Sequence, residues 1–181
     1  MAMNRRRAVW MMAMAATVAA APLVLAQESL RITPVVRDNQ VMVSFELADA
    51  YNESIHYAIA SGLKTSFSYE LELRTLVPGW VDRTIARTVV TTSDQYDNLT
   101  RRHTLTRIVD GRTEQATVAE TEAFAKTWLT TWKDVRLTDT SKLDPTREYY
   151  VRITTRARPF GGSLLGLSRS ISGQARFTFI P

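Results

Sequence analysis

The stretch Phe67-Ser68-Tyr69-Glu70-Leu71-Glu72-Leu73-Arg74 decides the fold class. Apolar and polar residues alternate without a break. Successive side chains of a strand point to opposite faces, so Phe67, Tyr69, Leu71 and Leu73 face one way and Ser68, Glu70, Glu72 and Arg74 the other. One buried and one wet face is the habit of an antiparallel sheet; a parallel strand covered on both sides reads apolar throughout.

Working downstream, Pro78-Gly79 marks a turn, Arg83 to Thr92 reads as a β-branched strand, and the polar run Ser93 to Asn98 reads as a loop. Leu99 to Val109 is a further strand. Asp110-Gly111 is a hairpin dipeptide, since both residues tolerate positive φ, and Thr113 to Ala116 returns antiparallel. Working upstream, Val41 to Leu47 alternates as a strand. Asn52 to Ser61 reads as a short helix, with Tyr51, Ile55, Ala58, Ile59 and Leu63 on its apolar stripe and Gly62 as its stop.

Thr117-Val118-Ala119-Glu120 matches a capping box, and Phe124, Ala125, Trp128, Leu129 and Trp132 recur at helical spacing. A second helix is therefore predicted from about Val118 to Trp132, with the aromatic stripe in the core. A short strand around Val135 to Leu137 follows, then a long one from Tyr149 to Arg158 that Pro159 stops. Phe160 to Gly173 is a glycine- and serine-rich loop, and Gln174 to Ile180 is the last strand. The order β-α-β-β-β-β-α-β-β-β, with hairpin-length connections, predicts an α+β, β-dominated domain. It is a mostly antiparallel sheet or sandwich of about seven to eight strands with two packed helices.

Composition narrows the chemistry. The 181 residues hold no Cys and two His, His56 and His103. That excludes disulfide scaffolds, thiolate metal sites and cysteine nucleophiles. Residues 1–26 carry Arg5-Arg6-Arg7, then an uncharged run, then Val24-Leu25-Ala26 before the polar Gln27-Glu28-Ser29. This is the layout of a signal peptide cleaved after Ala26, giving a periplasmic or secreted domain of residues 27–181. The competing reading is an inner-membrane anchor over residues 8–25, which is short for a bilayer and broken by Pro22. The chain has 23 Lys and Arg against 18 Asp and Glu, a formal +5, and three of those arginines sit in the leader, so residues 27–181 carry +2. Interspersed acids and so small a net charge speak against nucleic acid as a partner. One core suffices for a chain of this length.

The ordered set Ile55 to Leu63, Phe67 to Leu73, Trp80-Val81-Asp82, Tyr96 to Arg102, Leu143-Asp144-Pro145 and Tyr149 to Arg152 resembles domain-of-unknown-function family 4390, a family of exported bacterial proteins. The resemblance covers about Val35 to Pro159, and the chain departs from the pattern beyond it. It implies a small envelope protein and carries over no catalytic residue. Leu143-Asp144-Pro145 with Tyr149 is also similar, locally, to the tyrosine corner of fibronectin-type sandwiches.

No nucleophile elbow accompanies His56 or His103, which read as structural or exposed. Glu70 and Glu72 read as a solvated strand face rather than an acid–base pair. Asp94, Asp97 and Asp110 lack the spacing of a calcium loop and read as turn-forming acids. No metal site and no cofactor is expected. The binding candidates are Trp80 and Asp82 after the Pro-Gly turn, the outward row Arg152, Arg156 and Arg158, with Arg101 and Arg107 as further candidates for that face, and the loop residues Leu164, Leu165 and Leu167. An arginine face suits an anionic membrane surface or an envelope protein, and an apolar loop suits a contact. The expected function is a non-enzymatic exported binding or accessory domain. The alternatives are a periplasmic carrier holding a lipid or other amphiphile between sheet and helices, and a small envelope hydrolase.

Overall fold

A computed structural model describes residues 30–159 and 170–180. The leader with its cleavage site and the loop bearing Leu164, Leu165 and Leu167 lie outside the described residues. Nine strands and two helices follow in the order β1 (Leu30–Arg37), β2 (Gln40–Leu47), α1 (Glu53–Ala60), β3 (Thr65–Thr75), β4 (Arg83–Asp97), β5 (Arg102–Val109), β6 (Arg112–Ala119), α2 (Glu122–Thr130), β7 (Thr131–Asp139), β8 (Glu148–Pro159) and β9 (Ser170–Thr178). They form two antiparallel sheets, a three-stranded one in the order β1-β2-β7 and a six-stranded one in the order β6-β5-β4-β3-β8-β9. The β-dominated, antiparallel class expected from the sequence is what the chain adopts.

β3 lies at the centre of the larger sheet, paired with β4 on one side and β8 on the other. Its residues alternate between buried and half-buried along the whole strand, as its sequence dictates. Phe67, Tyr69, Leu71 and Leu73 are fully buried and meet Val41, Val43, Phe45 and Leu47 of β2 in one core. Where β1 packs against β9, Gly173 permits the approach: a Cβ there would lie 3.0 Å from the Leu30 side chain. Beyond the reach of the three-stranded sheet, α2 covers the larger one, and Leu105, Ala119, Ala125 and Trp128 form a second, small core beneath it.

Several elements differ from the sequence reading, among them β9, which begins at Ser170 inside the expected loop and ends at Thr178. β1 carries Pro34, which cannot donate to a ladder and is tolerated because the strand pairs only with β2. β4 runs through the polar segment Ser93 to Asp97 without a loop, because Thr92, Ser93 and Asp94 are buried in the sheet. β5 starts only at Arg102, and Leu99 sits in the turn before it, almost fully exposed. The capping box is absent: Thr117 and Ala119 belong to β6, the helix begins after Thr121 with no side-chain cap, and Trp132 lies on β7. Phe124, placed in the core stripe by its spacing, is half exposed.

The turn chemistry is as expected. Gly62 ends α1 at φ +78°, and Asp110 and Gly111 take φ values of +46° and +81° in the β5–β6 hairpin. The tyrosine corner is present: the Tyr149 hydroxyl accepts from the Asp144 amide at 2.7 Å and donates to the Asp144 carbonyl at 3.2 Å. Tyr149→Phe removes both bonds without changing packing. It should cost about 1–2 kcal/mol and lower the melting temperature by about 3–6 °C, read by thermal unfolding.

Candidate functional site

The site is built at the end of the sandwich where α1, the far end of β4, the start of β5 and the start of α2 meet. Asn52 caps α1 by accepting from the Ile55 amide at 3.0 Å. Ile55 and Ile59 bury one side of that helix, which leaves His56 on the flank, half-buried. On β4, Asp94 follows the inward parity of Val90 and Thr92 and is fully buried. On β5, His103 shares its parity with Leu105, lies opposite Tyr96 and is only 5% exposed. Glu122 opens α2.

These residues form two histidine–carboxylate pairs. His103 Nδ1 lies 2.9 and 3.1 Å from the two Asp94 carboxylate oxygens. His56 Nδ1 meets Glu122 Oε1, which also accepts from the Tyr51 hydroxyl at 3.0 Å. The Tyr96 ring lies against His103 with centroids 4.7 Å apart. Tyr51, His56, Ile59, Tyr96, His103 and Glu122 line a cavity of about 330 Å³, with Ala60 and Glu120 at its edge. Both histidines of the whole chain open onto this one cavity.

The electrostatics follow from the geometry. Burial raises the Asp94 pKa, and the His103 hydrogen bond and charge oppose that rise without cancelling it. Burial pushes Glu122 the same way, but hydrogen bonds from His56 and Tyr51 and the charges of both histidines outweigh it, so its pKa falls below the usual range. Burial, then Glu122, drives the Tyr51 phenol upward. The carboxylate on each Nδ1 assigns that nitrogen the proton in the neutral ring, which leaves Nε2 as the nitrogen with a free lone pair. A carboxylate behind an imidazole fixes ring orientation in binding and catalytic sites alike.

The binding candidates read from the sequence do not come together. Trp80 and Val81 project from the β3–β4 loop at 81% and 74% exposure. Asp82 holds that loop from beneath: its carboxylate accepts from the Tyr150 hydroxyl at 2.8 Å and the Val77 amide at 3.3 Å, and its carbonyl accepts from Arg74 at 2.8 Å. A broader depression of about 640 Å³ beside the loop is lined by Val77, Pro78 and Asp82 together with Thr146, Arg147 and Glu148. Arg152 lies on the outer sheet face, 3.7 Å from Glu72, while Glu70 pairs with Arg87 at 2.8 Å. Arg156 and Arg158 stand opposite Ser68 and Ser66 in the β8–β3 register. Arg158 is eight residues from Tyr150, about 26 Å along a strand, so Trp80 and the end of the arginine row sit at opposite ends of the sheet.

Two sequence readings are corrected here. Arg107 does not join a basic outer face; it points inward, its guanidinium 4.2 and 4.6 Å from the ring centres of Trp128 and Trp132. Asp94 makes no turn; it is the buried partner of His103, whereas Asp97 accepts from the amides of Leu99 and Thr100 and Asp110 from that of Val89. Among the described residues no three His, Asp or Glu side chains form a group suited to a metal ion.

With the geometry in place, comparison adds the lineage. A profile of the family described as Domain of unknown function (DUF4390) matches residues 27–159, more than half of the chain. The chain belongs to this family. No curated protein and no solved structure matches it. The DUF4390 region contains both histidine–carboxylate pairs and the whole cavity lining, and ends where β8 ends.

The lowered Glu122 pKa fixes a pH dependence. A carboxylate whose pKa is depressed on folding stabilises the native state above its unfolded value and loses that contribution as pH falls through the folded one. Asp97 and Asp144 act in the same direction, and Asp94, whose pKa is raised, acts in the opposite one. Melting temperature should therefore drop on acidification below the usual Glu value of 4.5. Glu122→Gln should make that acid limb shallower, as thermal scans of both proteins across pH will show.

Proposed function

We propose that this protein is a non-enzymatic, exported binding domain of the bacterial cell envelope that holds a small polar ligand in the cavity between α1, α2 and the larger sheet. The observation that carries the reading is the convergence of the only two histidines, each oriented by a carboxylate, on one cavity. The leader-like residues 1–26 support export, and the family match begins at residue 27, where the mature chain is expected to start. A cavity between sheet and helices supports a carrier. Its volume is at the lower end of the range for small-molecule sites, about 300–1,000 Å³. Two histidines, two glutamates and two tyrosines in the lining favour a polar ligand over a lipid chain.

Native mass spectrometry of protein purified from its own cells tests this. The wild type should carry a small adduct that Ala60→Trp lacks, because the new ring fills the cavity from its exposed edge. A clean apo mass in the wild type, or an adduct undisturbed by Ala60→Trp, removes the reading. A small envelope hydrolase is the second reading, favoured by the Asp94–His103 pair, since a carboxylate-oriented imidazole is the base of many acyl-transfer sites. It requires that His103→Asn abolish turnover of the bound molecule.

A further inference from the structure

Resting on the reading of the cavity as the ligand site, we infer that its ligand is a small organic ammonium, a protonated amine whose N–H groups meet His56 and His103 while its charge faces Glu122. The His103 ring is nearly fully buried yet lines the cavity, and its Nδ1 is engaged by both carboxylate oxygens of Asp94. Its Nε2 is thus an acceptor held in place before any ligand arrives. His56 is oriented in the same sense by Glu122. Two acceptors at one cavity call for a partner rich in donors.

Charge points the same way. Asp94, Glu120 and Glu122 stand around the site. The cations near it are Arg102, 3.4 Å from Glu120, and Lys126, whose ammonium lies 5.7 Å from the Tyr51 ring centre. These three carboxylates outnumber the two cations, and hydrogen bonds from His56 and Tyr51 help hold the Glu122 pKa below its usual value. Tyr51 and Tyr96 add aromatic lining, and the Tyr51 ring already lies beneath one cation, Lys126. An anion would face carboxylates, and a metal ion would find no three-residue group among the described residues.

The test is a titration of the mature protein with n-butylammonium, n-butanol, butyrate and Zn²⁺, followed by NMR of the histidine ring signals. n-Butylammonium should shift both histidines saturably, and n-butanol and butyrate at equal concentration should not. Glu122→Gln should weaken ammonium binding at least tenfold, while Glu53→Gln, on the exposed start of α1, leaves it unchanged. Shifts from butyrate alone, or from Zn²⁺ alone, overturn the ammonium assignment but leave the cavity reading standing. Silence from all four probes also overturns it, and the Ala60→Trp adduct experiment then decides the cavity reading separately.

Discussion

Asp94→Ala should cost about 1–3 kcal/mol of stability, the range found when a buried donor, here the His103 Nδ1–H, loses its acceptor. His103 then stays in the sheet interior with no group to receive its Nδ1 proton. No water shell is available to replace the lost carboxylate, because Asp94 is fully buried and His103 nearly so. Urea unfolding should show a lower midpoint at an unchanged slope. Asp94→Asn keeps a carbonyl acceptor at the same place and should lose less than half as much. A cost below about 1 kcal/mol for the alanine variant would mean that the pair is solvated, and the oriented-histidine argument would fail with it.

The second large effect is expected at Arg107. α2 passes straight into β7, with Thr130 the last helical residue and Thr131 the first of the strand. No glycine follows to satisfy the last carbonyls in the usual way. The sheet satisfies them instead. Arg107 donates to the carbonyls of Trp128 at 3.2 Å and Thr131 at 2.6 Å, Tyr69 to that of Leu129 at 2.7 Å, and Thr92 to that of Trp128 at 3.3 Å. A cation at a helix C-terminus is also favoured by the helix dipole. Arg107→Ala should therefore cost about 3 kcal/mol or more, since it removes two charge-assisted bonds and the contact with two indole rings together. Arg107→Lys keeps the charge but not the planar fork, and should recover less than half of that loss. The readout is urea unfolding, with Trp fluorescence reporting the two rings directly.

The same device explains what the sequence could and could not disclose. Phe67 to Leu73 shows its strand openly because alternation needs only the chain itself, and the Gly62 and Asp110-Gly111 turns need only local backbone freedom. The end of α2 depends on Tyr69, Thr92 and Arg107, residues from distant strands, so helical spacing alone carried the expected helix on to Trp132. The start failed for a related reason: Thr117 to Glu120 has the letters of a capping box, but pairing with β5 places Thr117 to Ala119 in a strand. β1 stayed hidden behind Pro34.

The site was half legible. His103 precedes Leu105 by two positions, and Asp94 follows Thr92 and Val90 at the same spacing, so strand parity aims both side chains inward. That signal required β4 to continue through Ser93 to Asp97, a polar run that reads as a loop until its burial is known. His56 lay one helical turn from Ile59, and its meeting with Glu122 of α2 is a tertiary contact that no spacing announces. Trp80, taken as a binding candidate because it follows the Pro-Gly turn, is exposed, and Asp82 beside it supports the loop.

The most direct measurement is a crystal structure of protein purified from its own cells without added ligand. The account requires density for a small molecule between His56 and His103, within hydrogen-bond reach of both Nε2 atoms and beside Glu122. Density confined to the Trp80 loop or the Arg152 face, with the cavity holding only water, would contradict it.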